Sequence, residues 1–283
     1  MTVLAIQSQV AYGHVGNSAA VFALQRLGID VWPVPTVVLS HHPGHGGAGG
    51  GALASNFVAD VLRGLVTLGR LGECGAALTG YLGSAANGVA ALAAIAALRE
   101  ANPDALYLCD PVLGDRHTGL YVARDLPDFF LTHAMPRADI ATPNQFELER
   151  LTGQRVTTIE SALYAAEALR ALGPRTVIVT SLERPEAAED VVETLAVGSA
   201  GAWIVRNPRI AKVPQGAGDL FAALFLGHFL RLRDVATALA RAVASTYGVL
   251  LTSADLGLDE LALIQAQDEI VAPSTRFEPA RLR

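Results

Sequence analysis

Lysine is almost missing from this chain of 283 residues, in which Lys212 is the only one. A P-loop uses a lysine to hold nucleotide phosphates, and pyridoxal-phosphate enzymes hold their cofactor as a Schiff base to a lysine. The motif Gly-x-x-x-x-Gly-Lys-Ser/Thr is also absent. Any phosphate chemistry in this chain must therefore depend on backbone amides, arginines and metal ions.

Other scarcities exclude further classes of protein. The two cysteines, Cys74 and Cys109, are too few for a disulfide framework. No uninterrupted apolar run approaches the roughly 20 residues of a membrane helix, and the N-terminus lacks the basic start of a signal peptide. Acidic residues outnumber basic ones by 27 to 21, which argues against nucleic-acid binding. We therefore expect a cytoplasmic protein with no membrane or nucleic-acid partner.

Short apolar runs alternate with helical patterns along the whole chain. Strands are predicted over residues 3–8, 31–40, 76–79, 105–109, 138–142 and 176–181, with a β-hairpin formed by 190–197 and 202–205. Helices are predicted over residues 18–27, 52–71, 86–100, 126–134, 147–151, 161–172, 219–232, 235–251 and 258–271. No linker or internal repeat divides the chain. This alternation predicts a single α/β domain over residues 1–283, with a mostly parallel sheet covered by helices on both faces.

The most informative stretch is Gln-Gly-Ala-Gly-Asp at residues 215–219, directly before a long apolar helical pattern. The start of a helix leaves backbone N–H groups unpaired and carries the positive end of the helix dipole. Glycines allow an anion to approach that backbone closely. The amides of Gly216, Ala217 and Gly218 could thus hold a phosphate, with Asp219 as the base. The alternative is that Asp219 only caps the helix.

Residues 41–51 contain three histidines and six glycines. Such a segment cannot pack a core, so we expect a mobile loop that could act as a lid. The histidines permit a metal site as an alternative, although no predicted helix or strand fixes their geometry.

Small polar and acidic residues follow the predicted strands. In an open α/β sheet, ligands bind outside the carboxyl ends of the strands, so these residues should share one edge. Oxygen ligands on that edge suit Mg²⁺ held between phosphates and protein, and Tyr81 could stack on a substrate ring or lie in the core. The residues of this edge are Ser8, Ser40, Thr79, Asp110, Asp115, Thr142, Glu147, Thr180, Ser181 and Asp219.

Several runs resemble pyridoxal kinases of the ribokinase-like superfamily. The Gly-Ala-Gly-Asp box at residues 216–219 is common to the superfamily, whereas the other runs are more specific. Those runs are Ala-Ile-Gln-Ser at 5–8, Gly-His-Val-Gly-Asn-Ser-Ala-Ala at 13–20, Leu-Thr-Gly-Tyr-Leu-Gly at 78–83, Cys-Asp-Pro-Val-Leu-Gly-Asp at 109–115 and Thr-Pro-Asn-Gln-Phe-Glu at 142–147.

The resemblance implies a three-layer α/β/α fold, a homodimer, and ATP-dependent phosphorylation of the 5′-hydroxymethyl group of pyridoxal, with Mg²⁺ and K⁺ or Na⁺. It implies Asp219 as the base, with Ser8, Pro43, Gly44 and Tyr81 at the substrate. It implies Asp110 and Thr142 beside a monovalent cation and Glu147 beside Mg²⁺. All three also belong to the ATP side of the site, whose other positions are Asp115, Thr180, Ser181, Asn207, Pro208, Arg209 and Ile210.

Two features depart from the family pattern, and two alternatives stay open. Pro43 and His45 stand where pyridoxal kinases usually carry threonine and often tyrosine, and the segment 207–214 is a few residues short. One alternative is a kinase for hydroxymethylpyrimidine, against which Gln7-Ser8 and Asp219 both argue, because pyrimidine kinases typically show a cysteine there. The other is a non-catalytic protein that binds vitamin B6 compounds.

Overall fold

The computed structural model describes residues 1–283, with one ten-stranded sheet and a separate two-stranded hairpin. The strands are β1 Thr2–Val10, β2 Asp30–Leu39, β3 Gly50–Ala52, β4 Cys74–Thr79, β5 Leu106–Cys109, β6 Gly114–Asp115, β7 Gly119–Leu120, β8 Ile140–Ala141, β9 Thr176–Leu182, β10 Val191–Gly198, β11 Gly201–Pro208 and β12 Ala280–Arg281. The α-helices are α1 Asn17–Arg26, α2 Ser55–Thr67, α3 Ala85–Ala101, α4 Leu126–Phe129, α5 Gln145–Thr152, α6 Ile159–Arg170, α7 Ala217–Leu232, α8 Val235–Asp255 and α9 Gln267–Val271.

The middle of the large sheet is parallel, as the sequence predicts. The strand order is β12-β11-β10-β9-β8-β5-β4-β1-β2-β3. Every neighbouring pair from β9 to β2 is parallel, while β3 and the β10–β12 group extend the two edges in antiparallel fashion. The carboxyl ends of β1, β4, β5, β8 and β9 therefore lie along one edge, where the polar residues of the predicted site are found.

Both faces of the sheet are covered, which gives three layers. Along β1, Leu4 and Ile6 belong to one buried cluster and Val3 and Ala5 to the other, because successive side chains of a strand point to opposite faces. Helices α2, α3 and α6 contribute to the first cluster, and helices α1, α7 and α8 to the second. The predicted α/β/α architecture is confirmed.

Helix α8 is the only helix long and apolar enough, by length and composition alone, to cross a membrane. Its Leu239, Val243 and Val249 are buried in the second cluster, packed with α1 and α7. Its apolar character is thus used in covering the sheet.

Two sequence predictions fail in detail, and one segment without a prediction forms a strand. The helix predicted over 258–271 is wrong for its first part: Gly257 has a φ of 64° and ends α8, and only α9 is helical beyond it. The apolar residues there, such as Leu261 and Leu263, are buried as parts of turns. The helix predicted over 126–134 is α-helical only in α4 and continues as a π-helical turn. The tail, which has no clear pattern, adds β12 beside β11.

The glycine-rich segment 41–51, called the lid below, has local structure. Residues Pro43–His45 form a 3₁₀ turn in which His42 Nδ1 accepts a hydrogen bond from the Gly44 N–H at 3.0 Å. Strand β3 then pairs with the end of β2. The lid is therefore an excursion between two paired strands of the sheet edge.

Candidate active site

Asp219 is the third residue of α7, and its carboxylate faces away from its own helix. Its Oδ2 accepts a hydrogen bond from the Gly16 N–H at 2.9 Å. The alternative that Asp219 caps α7 is therefore wrong, since the N-cap is Gly216 and no side chain caps this end. Desolvation raises the pKa of Asp219 to about 6, although the Gly16 N–H bond opposes the shift. A carboxylate of this kind can accept a proton near neutral pH.

The start of α7 is shaped by Gly216. Its φ of +89° is left-handed, and a Cβ there would lie 2.0 Å from the His14 carbonyl oxygen. Only glycine meets both conditions. No side chain caps the backbone amides at this helix start, where the positive end of the helix dipole also lies. The amides of Gly216, Ala217 and Gly218 therefore form a site suited to an anion.

Two further carboxylates of the predicted site, Asp110 and Glu147, are buried, and Asp110 is influenced by the charges of both Glu147 and Asp219. Burial, followed by the charges of Glu147 and Asp219, raises the pKa of Asp110 well above its usual range, although Thr142 Oγ1 donates to its Oδ1 at 2.9 Å. Burial likewise raises the pKa of Glu147 to about 7, against the hydrogen bonds donated by backbone N–H groups. Three carboxylates in one desolvated region repel each other, so this region favours cations.

Glu147 is positioned by the start of α5. It forms a capping box with Asn144, whose N–H donates to Glu147 Oε2 at 2.8 Å. Its Oε1 accepts from the Leu113 N–H at 2.9 Å and more weakly from the Gly114 N–H at 3.5 Å. These hydrogen bonds therefore hold the run 142–147 against the run 109–115, which is about 30 residues away in sequence.

A cavity of about 360 Å³ opens beside the start of α7. Residues 207–210 line it, although the sequence suggests that the segment 207–214 is a few residues short. The lining residues that belong to the predicted site are Asp115, Thr180, Ser181, Asn207, Pro208, Arg209, Ile210, Ala217 and Gly218. Ser181 has a φ of 51°, a left-handed backbone that is rare for residues other than glycine and that is often found at functional sites.

The cavity also has an apolar wall that sequence reasoning missed. Val243, Thr246, Tyr247 and Leu250 of α8 line it together with Phe221 of α7. The spacing of the α8 residues, i, i+3, i+4 and i+7, is that of any helix with one buried face. No sequence signal therefore separates this wall from an ordinary core stripe.

Charged residues also line the cavity; Arg209 among them was predicted, whereas Arg116 and Glu183 were not. Arg116 is 3.4 Å from Glu149 and 3.8 Å from Glu183, and Arg209 is 3.4 Å from Glu183. These pairs are partly exposed, so each contributes little to stability. Glu183 nevertheless connects the β6–β7 hairpin with the end of β11 across the opening.

On the other side of Asp219, backbone packing brings in Ser8. Gly16 has a φ of +56°, and a Cβ there would lie 2.5 Å from Ser8 Oγ and 2.2 Å from its carbonyl oxygen. Ser8 is buried beside the residue that holds the base. The strand continues two residues beyond the predicted end at Ser8, with an irregular register between Gln7 and Gln9.

The remaining predicted substrate residues are Pro43, Gly44 and Tyr81, of which Gly44 packs near the start of α7. A Cβ on Gly44 would be 3.8 Å from Gln215 Cγ, so the lid lies against the residue before the anion site. The Tyr81 carbonyl accepts from Thr36 Oγ1 at 2.7 Å, and its side chain is half-buried. Neither Tyr81 nor Pro43 is hydrogen-bonded to Asp219. The lid histidines do not form a metal site, because no group of three or more His, Cys, Asp or Glu could hold an ion.

Tyr121 is a further residue that the sequence did not single out. It follows β7, and partial desolvation together with the charges of Glu147 and Asp219 raises the pKa of its hydroxyl. The shift places this phenol near the carboxylates, where a protonated hydroxyl can donate a hydrogen bond to an anion.

Known proteins match both the sequence and the fold. Residues 53–262 match the phosphomethylpyrimidine kinase family. The chain is 50% identical to pyridoxal kinase PdxY of Rubrobacter xylanophilus, covering 100% of this chain and 98% of the relative, and 45% identical to pyridoxal kinase PdxY of Leifsonia xyli, covering 100% of both. The solved pyridoxal kinase from Leishmania donovani in complex with ADP and pyridoxamine has a TM-score of 0.92 at 28% identity, covering 100% of this chain and 99% of that one.

Proposed function

The chain belongs to the pyridoxal kinase family, and we propose that it transfers the γ-phosphoryl group of ATP to the 5′-hydroxymethyl group of pyridoxal. The observation that carries this proposal is the position of Asp219. It lies at the uncapped start of α7 beside Ala217 and Gly218, which line the 360 Å³ cavity, and it accepts a hydrogen bond from Gly16, which packs against the buried Ser8. These contacts support placing the nucleotide on the cavity side of this helix start and the hydroxyl substrate on the Ser8 side.

In the proposed reaction, Asp219 accepts the proton of the substrate hydroxyl as the oxygen attacks the γ-phosphorus. Its pKa of about 6 suits this step, because the carboxylate is mostly ionised at neutral pH. The amides of Gly216, Ala217 and Gly218 stabilise the charge that develops on the transferred phosphoryl group. With only one lysine in the chain, backbone amides supply the phosphate contact that a P-loop lysine makes elsewhere.

The buried carboxylates fit the cations of such a reaction. None of the main influences on the pKa of Asp110 is a positive charge, so a cation would relieve the repulsion among Asp110, Glu147 and Asp219. We assign Asp110 and Thr142 to a monovalent cation, K⁺ or Na⁺, and Glu147 to Mg²⁺. Bound cations would neutralise phosphate charge during transfer.

The two ligands are assigned to the two sides of Asp219. ATP is assigned to the cavity, whose predicted nucleotide residues include Asp115, Thr180, Ser181 and segment 207–210. Pyridoxal is assigned to the region of Ser8, Tyr81 and the lid residues Pro43 and Gly44. The proposal includes a cytoplasmic location, where ATP is available.

A substrate panel tests the proposal. Purified protein with ATP, Mg²⁺ and K⁺ should phosphorylate pyridoxal, measured by ADP release and by the absorbance of pyridoxal 5′-phosphate. Pyridoxine, pyridoxamine and hydroxymethylpyrimidine belong in the panel, because the matching family model is described by a pyrimidine substrate. Preference for hydroxymethylpyrimidine, or vitamer binding without ATP turnover by folded protein, would contradict the proposal.

We also propose that the protein is a homodimer. The support is the resemblance together with an apolar stripe along α2 and its C-cap residue, in which Phe57 is 55% exposed, Val61 38% and Leu68, the C-cap, 60%. Residues at these spacings lie on one face of a helix, and exposed apolar faces often mark association surfaces.

A further inference from the structure

Glu260 lies in the turns between α8 and α9, and each of its carboxylate oxygens holds a different distant segment. Oε1 lies 2.5 Å from Nε2 of His45 in the lid. Oε2 accepts a hydrogen bond from the His14 N–H at 2.9 Å. The side chain is only 12% exposed, so these contacts are not those of a mobile surface carboxylate.

The segment on the Oε2 side is Gly13–Gly16, called the base loop below, and it positions Asp219. Gly16 donates its N–H to Asp219, and the His14 carbonyl packs against Gly216 so closely that no Cβ fits there. Gly13 is equally constrained, because a Cβ at its φ of +91° would lie 2.4 Å from Glu260 Oε2. The base loop is thus packed between Glu260 and the start of α7.

The segment on the Oε1 side is the lid. His45 ends the 3₁₀ turn that contains Gly44, and Gly44 lies against Gln215, the residue before the anion site. The ring of His45 also meets the rings of Tyr12 and His41 edge to face, with centroids 6.1 and 6.3 Å apart. A shift of His45 therefore moves the lid relative to the start of α7.

The geometry points to Glu260 as a positioning residue that holds the lid and the base loop in one arrangement. A carboxylate can accept from two donors at once, which is the feature that this double contact requires. Lid placement over the substrate and orientation of Asp219 then depend on a single side chain located outside the catalytic set. The inference rests on the proposed function only for its effect on pyridoxal turnover; the coupling itself is a property of the ligand-free protein.

Hydrogen exchange of the ligand-free protein tests the coupling without any activity assay. Glu260→Ala should speed amide exchange about tenfold or more in both the lid and the base loop, because hydrogen bonds to a charged acceptor are lost on both sides. His45→Phe should speed exchange in the lid alone. Asp259→Asn is the matched control, because Asp259 is the neighbour of Glu260 in sequence. Its carboxylate is 61% exposed and pairs with the exposed Lys212, so both segments should exchange as in the wild type.

Kinetics supply the second readout. His45→Phe should raise KM for pyridoxal several-fold with little change in kcat, whereas Glu260→Ala should raise KM and also lower kcat about tenfold or more, since the base is displaced. In the double variant, the His45 substitution should add nothing to KM, because its partner is already gone.

Three results would overturn the inference. They are unchanged exchange in either segment of Glu260→Ala, full additivity in the double variant, or equal effects of Asp259→Asn. If Glu260→Ala does not fold, Glu260→Leu replaces it: leucine fills much of the same space but neither accepts nor donates a hydrogen bond, so both segments must exchange faster. If the protein phosphorylates no vitamer, the exchange experiment still decides the coupling, so failure of the proposed function is seen separately.

Discussion

A short sequence motif does not show whether Asp219 caps its own helix or contacts another part of the chain. It lies in the first turn of α7, where an aspartate commonly serves the helix itself, yet its side chain is held by Gly16 from the other end of the chain. That external contact fixes the carboxylate beside the anion site and leaves the helix end free for a ligand. The residue contributes no cap, which agrees with the role of base that we propose for it.

Replacing this base should remove turnover and spare nucleotide binding. Asp219→Asn keeps the shape and can still accept the Gly16 N–H, but it cannot take a proton from the substrate. We expect kcat to fall by about 10² to 10⁴, with ADP affinity by calorimetry changed less than threefold. Asp268→Asn, which replaces an exposed carboxylate paired with Arg26, is the control and should behave as the wild type. Residual activity above a tenth would contradict the assigned role.

The pH dependence of activity follows from the raised pKa of Asp219. The base works only when ionised, so kcat/KM should fall as pH drops through about 6, the pKa of this carboxyl group. Initial rates between pH 5 and 8 at saturating Mg²⁺ and K⁺ measure the inflection. An acidic limb centred near pH 4, the usual range of aspartate, would mean that the base is not desolvated in the working enzyme.

The same shift predicts a pH-dependent stability. The folded-state pKa of Asp219 lies above the value of 3.8 expected in the unfolded chain, so the group stabilises the fold while protonated and loses this contribution as pH rises through about 6. The asparagine in Asp219→Asn cannot ionise. In ligand-free protein, this variant should thus melt on the order of a few °C above the wild type at pH 8 and nearly level with it at pH 4. A difference that shrinks with rising pH would have the wrong sign.

At the scale of elements, the start of α7 depends on one backbone conformation. Gly216→Ala places a Cβ 2.0 Å from the His14 carbonyl at a left-handed φ, so the base loop and the helix start must move apart. We expect at least a tenfold loss of kcat and a stability loss of roughly 1–3 kcal/mol, measured by steady-state kinetics and urea unfolding.

The matched control is Gly64→Ala in α2. Nothing lies within 4 Å of a Cβ at Gly64, and alanine favours a helix interior by about 0.5–1 kcal/mol over glycine. This variant should be slightly stabilised with unchanged kinetics. Equal losses in both variants would show that the position of Gly216 is not special.

At the scale of the whole molecule, we predict that two copies of the chain associate as a dimer. Phe57→Glu places a charge in the exposed apolar stripe of α2 and should convert the proposed dimer to monomer, as seen by sedimentation velocity. Tyr164→Glu, at a position that is 64% exposed on α6, is the control and should leave the dimer intact. A wild-type protein that sediments as a monomer at micromolar concentration would refute the proposal.

Much of the fold could be predicted, because the apolar residues that recur at strand and helix spacing in the sequence are the residues that are buried in the structure. The failures fall where local patterns are ambiguous. Leu261 and Leu263 suggested a helix, but they are buried by turns after Gly257. The short strand β12 has no pattern of its own and forms only because β11 offers a free edge.

The candidate site was predicted as a set of residues but not as a geometry. Asp110, Thr142 and Glu147 could be predicted as site residues because they lie at or shortly after the ends of strands. The raised pKa values of Asp110 and Glu147 could not be predicted, because they depend on the burial of both carboxylates in the folded protein. Gly16, Tyr121 and the α8 wall gave no separate signal, because glycine turns and apolar stripes are common in every fold. Their roles depend on neighbours distant in sequence.

The sequence by itself determined most of the order of elements, the sheet edge at which the proposed site residues lie, and, in a chain with one lysine, the expectation that backbone amides contact the phosphate. These follow from local periodicity and composition, which do not require knowledge of packing. Only the tertiary structure decided that Asp219 turns toward Gly16, that segment 207–210 reaches the cavity, and that Glu260 contacts both His14 and His45. Each of these contacts joins residues separated by long stretches of chain, and such pairings are set by burial and packing.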